Sequence, residues 1–179
     1  MRHAVAIDER RTMFRPQLRP VGQEYLGNPF NKAAAKPQDV HEVWFAGVHG
    51  DVGGGYPEVE SGLAKVALQW MVEQTRSLGL FYRTQAVNEL VLGQTPDKPS
   101  ISPDPHAKPH NSMSWGWSVL EFLPQWRRKP EDGSRGSRLT IPLFARRSIP
   151  AGARIHQSVA DRVNGDERPP NMPADFLIE

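Results

Sequence analysis

The 179-residue sequence contains no cysteine. That excludes disulfide bonds, thiolate zinc sites and cysteine nucleophiles, and it fits a reducing compartment. It also has no uninterrupted apolar run of the roughly 18 residues that a spanning helix needs. The amino terminus, with Arg2, Asp8, Glu9, Arg10 and Arg11, offers no apolar core for a signal peptide. A cytoplasmic protein without a transmembrane segment is expected. Charge of one sign is scarce too: the formal net charge is +2. The one local excess is basic, from Arg127, Arg128, Lys129, Arg135, Arg138, Arg146, Arg147 and Arg154. Such a run reads first as a solvated rim and second as a surface for anionic lipid or other anions. No nucleic-acid motif accompanies it, so no nucleic-acid partner is expected. No internal repeat is present.

What the chain has in quantity is proline and glycine, 17 and 15 residues, beside 38% hydrophobic and 23% charged residues. One loop-rich globular domain, or a piece of a larger one, fits that balance. Residues 1 to 39 read as an irregular wrapping segment holding one short strand, "HAVAI". Val40 to Val48 reads as a strand whose nearly continuous apolar character suits burial on both faces of a parallel sheet. After it, Ser61 is placed to cap a helix bearing Leu63, Val66, Ala67, Trp70 and Met71 at three- and four-residue steps, and Gly79 to close it in a left-handed conformation.

Further on, Thr84 to Leu92 suggests a shorter helix, and Pro96 to Pro109 a loop. Trp115 to Phe122 suggests a short helical segment whose aromatic residues fill a secondary core or, exposed together, face a membrane. "RLTIPLFARRSIP" suggests two short strands. Ile155, Val159 and Val163 stand at helical spacing.

Chemistry concentrates in "WFAGVHGDVGGGY", Trp44 to Tyr56. In a sheet of parallel strands, functional groups gather beyond the carboxyl ends of the strands, which is where His49 and Asp51 fall. His49 suits a general base if a carboxylate fixes its tautomer. The same two residues could be metal ligands, although two are too few for a site, or could simply bond and cap a tight turn. Gly53, Gly54 and Gly55 could present main-chain N–H groups to an oxyanion or clear room for a substrate. His110 and His156, each followed two positions on by a serine, read as satisfied structural residues, as do His3, His41 and His106.

The segment "VWFAGVHGDVGGGY" resembles the signature of the α/β-hydrolase family that includes the type VI secretion phospholipase effectors. "RHAVAIDERRTMF", the helix from Leu63 to Met71, "HNS" at His110 to Ser112, and "IHQSVADRV" followed by "RPPNMP" arrive in the order of that family. The resemblance implies a Ser-Asp-His hydrolase of lipid esters that needs no cofactor and no metal. It implies an α/β fold of α/β-hydrolase type, with a mostly parallel sheet and flanking helices. His49 matches the histidine of the signature and is expected to be the base; Asp51 matches the aspartate that follows.

Such hydrolases carry their serine in a Gly-x-Ser-x-Gly elbow, and no such motif occurs in these residues. Ser134-Arg135-Gly136 has the wrong context, lying among Pro130, Glu131, Asp132 and Gly133. Residues 1 to 179 are therefore expected to be a single carboxy-terminal portion of the catalytic domain, inactive alone. A lipid or other ester would be its substrate, an amino-terminal hydrolase half a partner, and export by a secretion system a possible destination. The alternative is a non-catalytic interaction module that uses its arginine-rich surface.

Overall fold

In the computed structural model the described residues are 1–19, 22–95, 99–128, 137–163 and 168–179. Among the described residues eight strands and five α-helices follow one another. They are β1 Arg2–Ala6, β2 Glu24–Tyr25, β3 Lys36–Pro37, β4 His41–Phe45, α1 His49–Gly53, α2 Gly62–Arg76, α3 Thr84–Ala86, α4 Trp115–Glu121, β5 Gln125–Arg128, β6 Ser137–Thr140, β7 Ala153–Ile155, α5 Gln157–Val163 and β8 Phe176–Ile178. A π-helical turn, Val87–Val91, continues α3. The fold is α/β.

Its centre is a four-stranded sheet in the order β1-β4-β7-β8, parallel throughout, with Val5 opposite Trp44 and Trp44 opposite Ile155. Two small antiparallel pairs, β2 with β3 and β5 with β6, lie outside it. Successive side chains of a strand point to opposite faces, so the apolar run of β4 feeds two cores. Val43 and Phe45 join Val66, Ala67 and Trp70 of α2 on one face. Trp44 and Ala46 join Val5, Ile7, Ile155 and Val159 on the other. Burial on both sides is what the continuous apolar character of this strand predicts.

Helix α2 uses its expected stripe and closes as expected. The Leu80 N–H donates to Thr75 O at 3.2 Å and the Gly79 N–H to Arg76 O at 3.0 Å, with Gly79 at φ 92°. That is the paired-bond cap that a left-handed residue permits. Its start differs from expectation: Ser61 occupies the cap position, but its Oγ donates to Glu58 O instead of a helical N–H.

Elsewhere the outcome is mixed. Ile155 ends β7, and α5 begins two residues later. Of the two strands expected in 138–150 only β6 forms, because Leu143 and Phe144 take left-handed backbone, φ 49° and 59°. Trp117 packs edge-on to Phe14, whereas Trp115 is 85% exposed. Ser134, Lys129 and Arg135 lie outside the described residues. Among the described residues no helix is long and apolar enough to cross a membrane.

Candidate active site

The parallel strands deliver their carboxyl ends to one rim. There β4 gives way to a turn at Gly47, whose N–H donates to Asp8 Oδ2 at 2.7 Å. Gly47 sits at φ 99°, and a Cβ on it would lie 2.4 Å from the Cβ of Asp51. Only glycine fits there. The strand consequently ends at Phe45, short of the expected Val48, and α1 starts at His49.

Asp51, 2% exposed, stands in the first turn of α1. Its Oδ2 accepts the Val48 N–H at 2.9 Å, a reciprocal cap on a short helix. The same oxygen accepts the His110 N–H at 3.0 Å, and Oδ1 lies 2.6 Å from His110 Nδ1. Asp51 therefore fixes both backbone and ring of a residue 59 positions away. The His110 ring stacks on Tyr56, centroids 3.5 Å apart and planes 10° from parallel. Its Nε2 lies 3.1 Å from Glu60 Oε2. Burial disfavours the imidazolium, but the hydrogen bonds to Asp51 and Glu60, and their charges, outweigh it and raise the His110 pKa above the ordinary 6.5.

Glu9 braces the same rim. Its Oε1 accepts the N–H groups of Arg10 and Arg11 and the Ser112 hydroxyl, and its Oε2 accepts the His49 N–H at 3.1 Å. Arg11 binds it through both carboxylate oxygens. Burial pushes the Glu9 pKa up, yet these donors overcome it and bring it down to about 2. A buried carboxylate thus ties the end of β1 to α1 and to the loop that carries His110.

The residues expected from sequence fall in different places. Asp51 is central. The His49 ring lies on the exposed side of α1, 5.2 Å from the Phe14 ring, and the hydrogen bonds of Asp51 go to His110. Gly53 ends α1, and Gly54 and Gly55 follow it in exposed backbone at φ 82° and 128°. Among the described residues no three His, Asp or Glu side chains form a group that could hold a metal.

Sequence reasoning passed over His110, Glu9, Tyr56 and Glu60. The "HNS" and "DERR" segments held two of them. His156 matches its structural reading: Nδ1 accepts the Ser158 N–H, the ring stacks on Phe45, and burial lowers its pKa.

Beside His110 the rim opens into a cavity of about 400 Å³, bounded by Asp8, Val48, Asn111 and several arginines.

Residues 1–74 match the family model of the Tle1-like phospholipase effectors of the type VI secretion system, specifically their catalytic domain. That stretch holds β1, β4, Asp51 and the glycines; His110 lies beyond it. The uncharacterized protein YEL023C of Saccharomyces cerevisiae is 28% identical over 76 residues, an alignment covering 41% of this chain and 11% of that protein. The chain thus spans about a tenth of the length of that relative. No solved structure matches it significantly.

Proposed function

We propose that this chain supplies the acid and base of a serine-type hydrolase of lipid esters, Asp51 holding His110 as the general base. The observation that carries this reading is the 2.6 Å contact between Asp51 Oδ1 and His110 Nδ1 at the carboxyl rim of a parallel sheet. An aspartate on Nδ1 selects the tautomer whose Nε2 can take a proton, and it stabilises the imidazolium that results. Among the described residues no carboxylate orients the ring of His49, the base expected from the signature. The similarity of residues 1–74 to a phospholipase catalytic domain supports the substrate class, and the parallel sheet with its flanking helices is compatible with an α/β-hydrolase architecture. It also fits export as an effector.

The nucleophile comes from polypeptide outside these residues, since they hold no Gly-x-Ser-x-Gly. Ser112 donates its hydroxyl to Glu9, and Ser158 is paired with His156. In the assembled site a serine hydroxyl attacks the acyl carbonyl while its proton passes to His110 Nε2. The tetrahedral intermediate then expels the alcohol, which takes that proton back, and water repeats the sequence to release the fatty acid. Main-chain N–H groups of Gly53, Gly54 and Gly55 are the candidates for receiving the oxyanion.

The test joins the chain to an elbow-bearing segment, either one encoded upstream of it or the corresponding half of a Tle1-like phospholipase, and measures hydrolysis of phospholipid and of a short-chain ester. Activity should require both pieces, fall on the order of 10⁴-fold in His110→Ala, and survive largely intact in His49→Ala. Full activity in His110→Ala overturns the assignment of the base. A joined protein that never hydrolyses either ester leaves the interaction-module reading in its place.

A further inference from the structure

Helix α4 is turned inside out. Its one charged residue, Glu121, is fully buried. Glu121 Oε1 accepts the Thr12 N–H at 2.8 Å, and that bond fixes the rotation of the helix about its axis. Trp117 packs inward on Phe14. Trp115, 85% exposed, then stands outside with Val119 and Phe122, which are exposed as well. Spacings of four and three residues put these three side chains on one helical face. An ordinary surface helix shows the reverse, with its apolar stripe toward the core.

The stretch after β6 extends this face. The Leu143 N–H donates to Glu121 O at 3.1 Å, and the Phe144 ring meets the Phe122 ring edge-on, centroids 5.4 Å apart. Leu143 and Phe144 hold left-handed backbone that L residues rarely adopt. Leu143 is nevertheless 58% exposed, so burial of that side chain does not repay the strain. Basic groups flank the face. The Arg10 guanidinium lies 5.8 Å from the Phe144 ring centroid, and Arg146, two residues further on, is exposed. Residues 109–126 and 139–150 contain one carboxylate between them, the buried Glu121. Across 109–150 as a whole the sequence has seven Arg and Lys against three Asp and Glu, so the balance stays basic when the stretch between is included.

We infer that the outer face of α4, continued by Leu143, is a docking surface for a lipid bilayer with anionic headgroups. Such a bilayer matches it on two counts: Trp, Phe and Leu side chains settle at the boundary between headgroups and hydrocarbon, and the arginines beside them meet negative charge. Left in water, a grouped aromatic face of this kind is a liability. The surface also adjoins the candidate site. Ser112, whose hydroxyl donates to Glu9, lies three residues before α4, and Phe14 bridges Trp117 to the His49 ring. Docking itself is independent of the hydrolase reading. Only its consequence rests on that reading: the bound membrane brings acyl esters to the rim where His110 stands.

Flotation of the chain with vesicles of phosphatidylcholine alone, and of phosphatidylcholine mixed equally with phosphatidylglycerol, tests the surface. Binding should be about tenfold tighter to the mixed vesicles. Trp115→Ser and Phe122→Ser should each weaken it about tenfold; Val119→Ser replaces Phe122→Ser if circular dichroism shows that variant unfolded. Phe81→Ser removes a 99% exposed ring beyond the carboxyl end of α2 and should change nothing. Bromine-labelled acyl chains should quench the tryptophan emission of the bound chain, and quench it less in Trp115→Phe. No binding to mixed vesicles at millimolar lipid, wild-type affinity in the Trp115→Ser/Phe122→Ser double variant, an equal loss in Phe81→Ser, or binding without acyl-chain quenching overturns the inference. So does loss of vesicle binding when the elbow-bearing segment is joined, which assigns the face to that segment, or a dimer in sedimentation that Phe122→Ser dissociates, which assigns it to a second copy. Vesicle binding without ester hydrolysis in the joined protein would count against the hydrolase reading alone, and hydrolysis of a soluble short-chain ester without vesicle binding against this surface alone.

Discussion

The Nε2 of His110 faces an acceptor, the Glu60 carboxylate at 3.1 Å, with 54% of the Glu60 side chain exposed. A neutral imidazole whose Nδ1–H is given to Asp51 has only a lone pair to offer there, so this contact favours the protonated ring. Turning Glu60 away or displacing it would remove that bias toward the charged form of the proposed base. Because the folded pKa lies above 6.5, the pair adds stability fully below the unfolded value and loses it as pH rises through the folded one. Catalysis needs the neutral ring and runs the opposite way, rising with pH over the same interval. In Glu60→Gln the His110 pKa should fall, seen by NMR titration of the ring, and the ascending limb of the pH–rate profile of the joined enzyme should move to lower pH. An unmoved titration would show that Glu60 does not set this ionisation. At this scale the sequence was partly legible. Asp51 and its glycines are contiguous and stand out, whereas His110 meets Asp51 only through the path of the loop before α4, which no local pattern encodes.

The second scale is the element, where α1 is the sensitive one. Five residues long, it has little helical stability of its own and depends on Asp51 capping from within and on the Gly47 turn beneath it. Gly47→Ala would place a side chain at positive φ and drive its Cβ against Asp51. We expect a loss of about 2 kcal/mol or more in thermal or denaturant unfolding, together with loss of the Asp51–His110 contact. A variant that keeps wild-type stability would contradict the geometry of the turn. Elements with a strong apolar pattern were legible: β1 and α2 are essentially where their patterns put them, and β4 begins where its run predicts but ends three residues sooner. The short strands β2, β3, β7 and β8 were not, since two or three residues carry no period and owe their form to their neighbours. Val40 to Val48 looked like one strand because apolar residues continue past the end of β4. What ends it is Asp8, 39 residues earlier, capturing the Gly47 N–H.

At the scale of the whole molecule, the parallel sheet was legible from one run buried on both faces, while the strand order was not. In that order β1 is an edge among the described residues. Ile7 N–H bonds to Phe45 O, so the backbone groups of His3, Val5 and Ile7 turn toward β4 and those of Ala4 and Ala6 turn outward. Hydrogen exchange in the chain alone should find the Ala4 amide faster than Val5. Joining the elbow-bearing segment should slow it on the order of a hundredfold if that segment adds a strand here; unchanged exchange would place the partner elsewhere. One detail limits how such a strand can dock. Arg147 Nη1 already donates to the Ala6 carbonyl at 2.6 Å, so zippering from the amino-terminal side halts near Ala4 unless the guanidinium withdraws. A newcomer running in the same direction as β1 would then release its trailing turn close to the imidazole, and one running the opposite way would bring its leading turn there. The polarity of a five-residue edge would thus decide which end of an added segment could bring a hydroxyl to the proposed base.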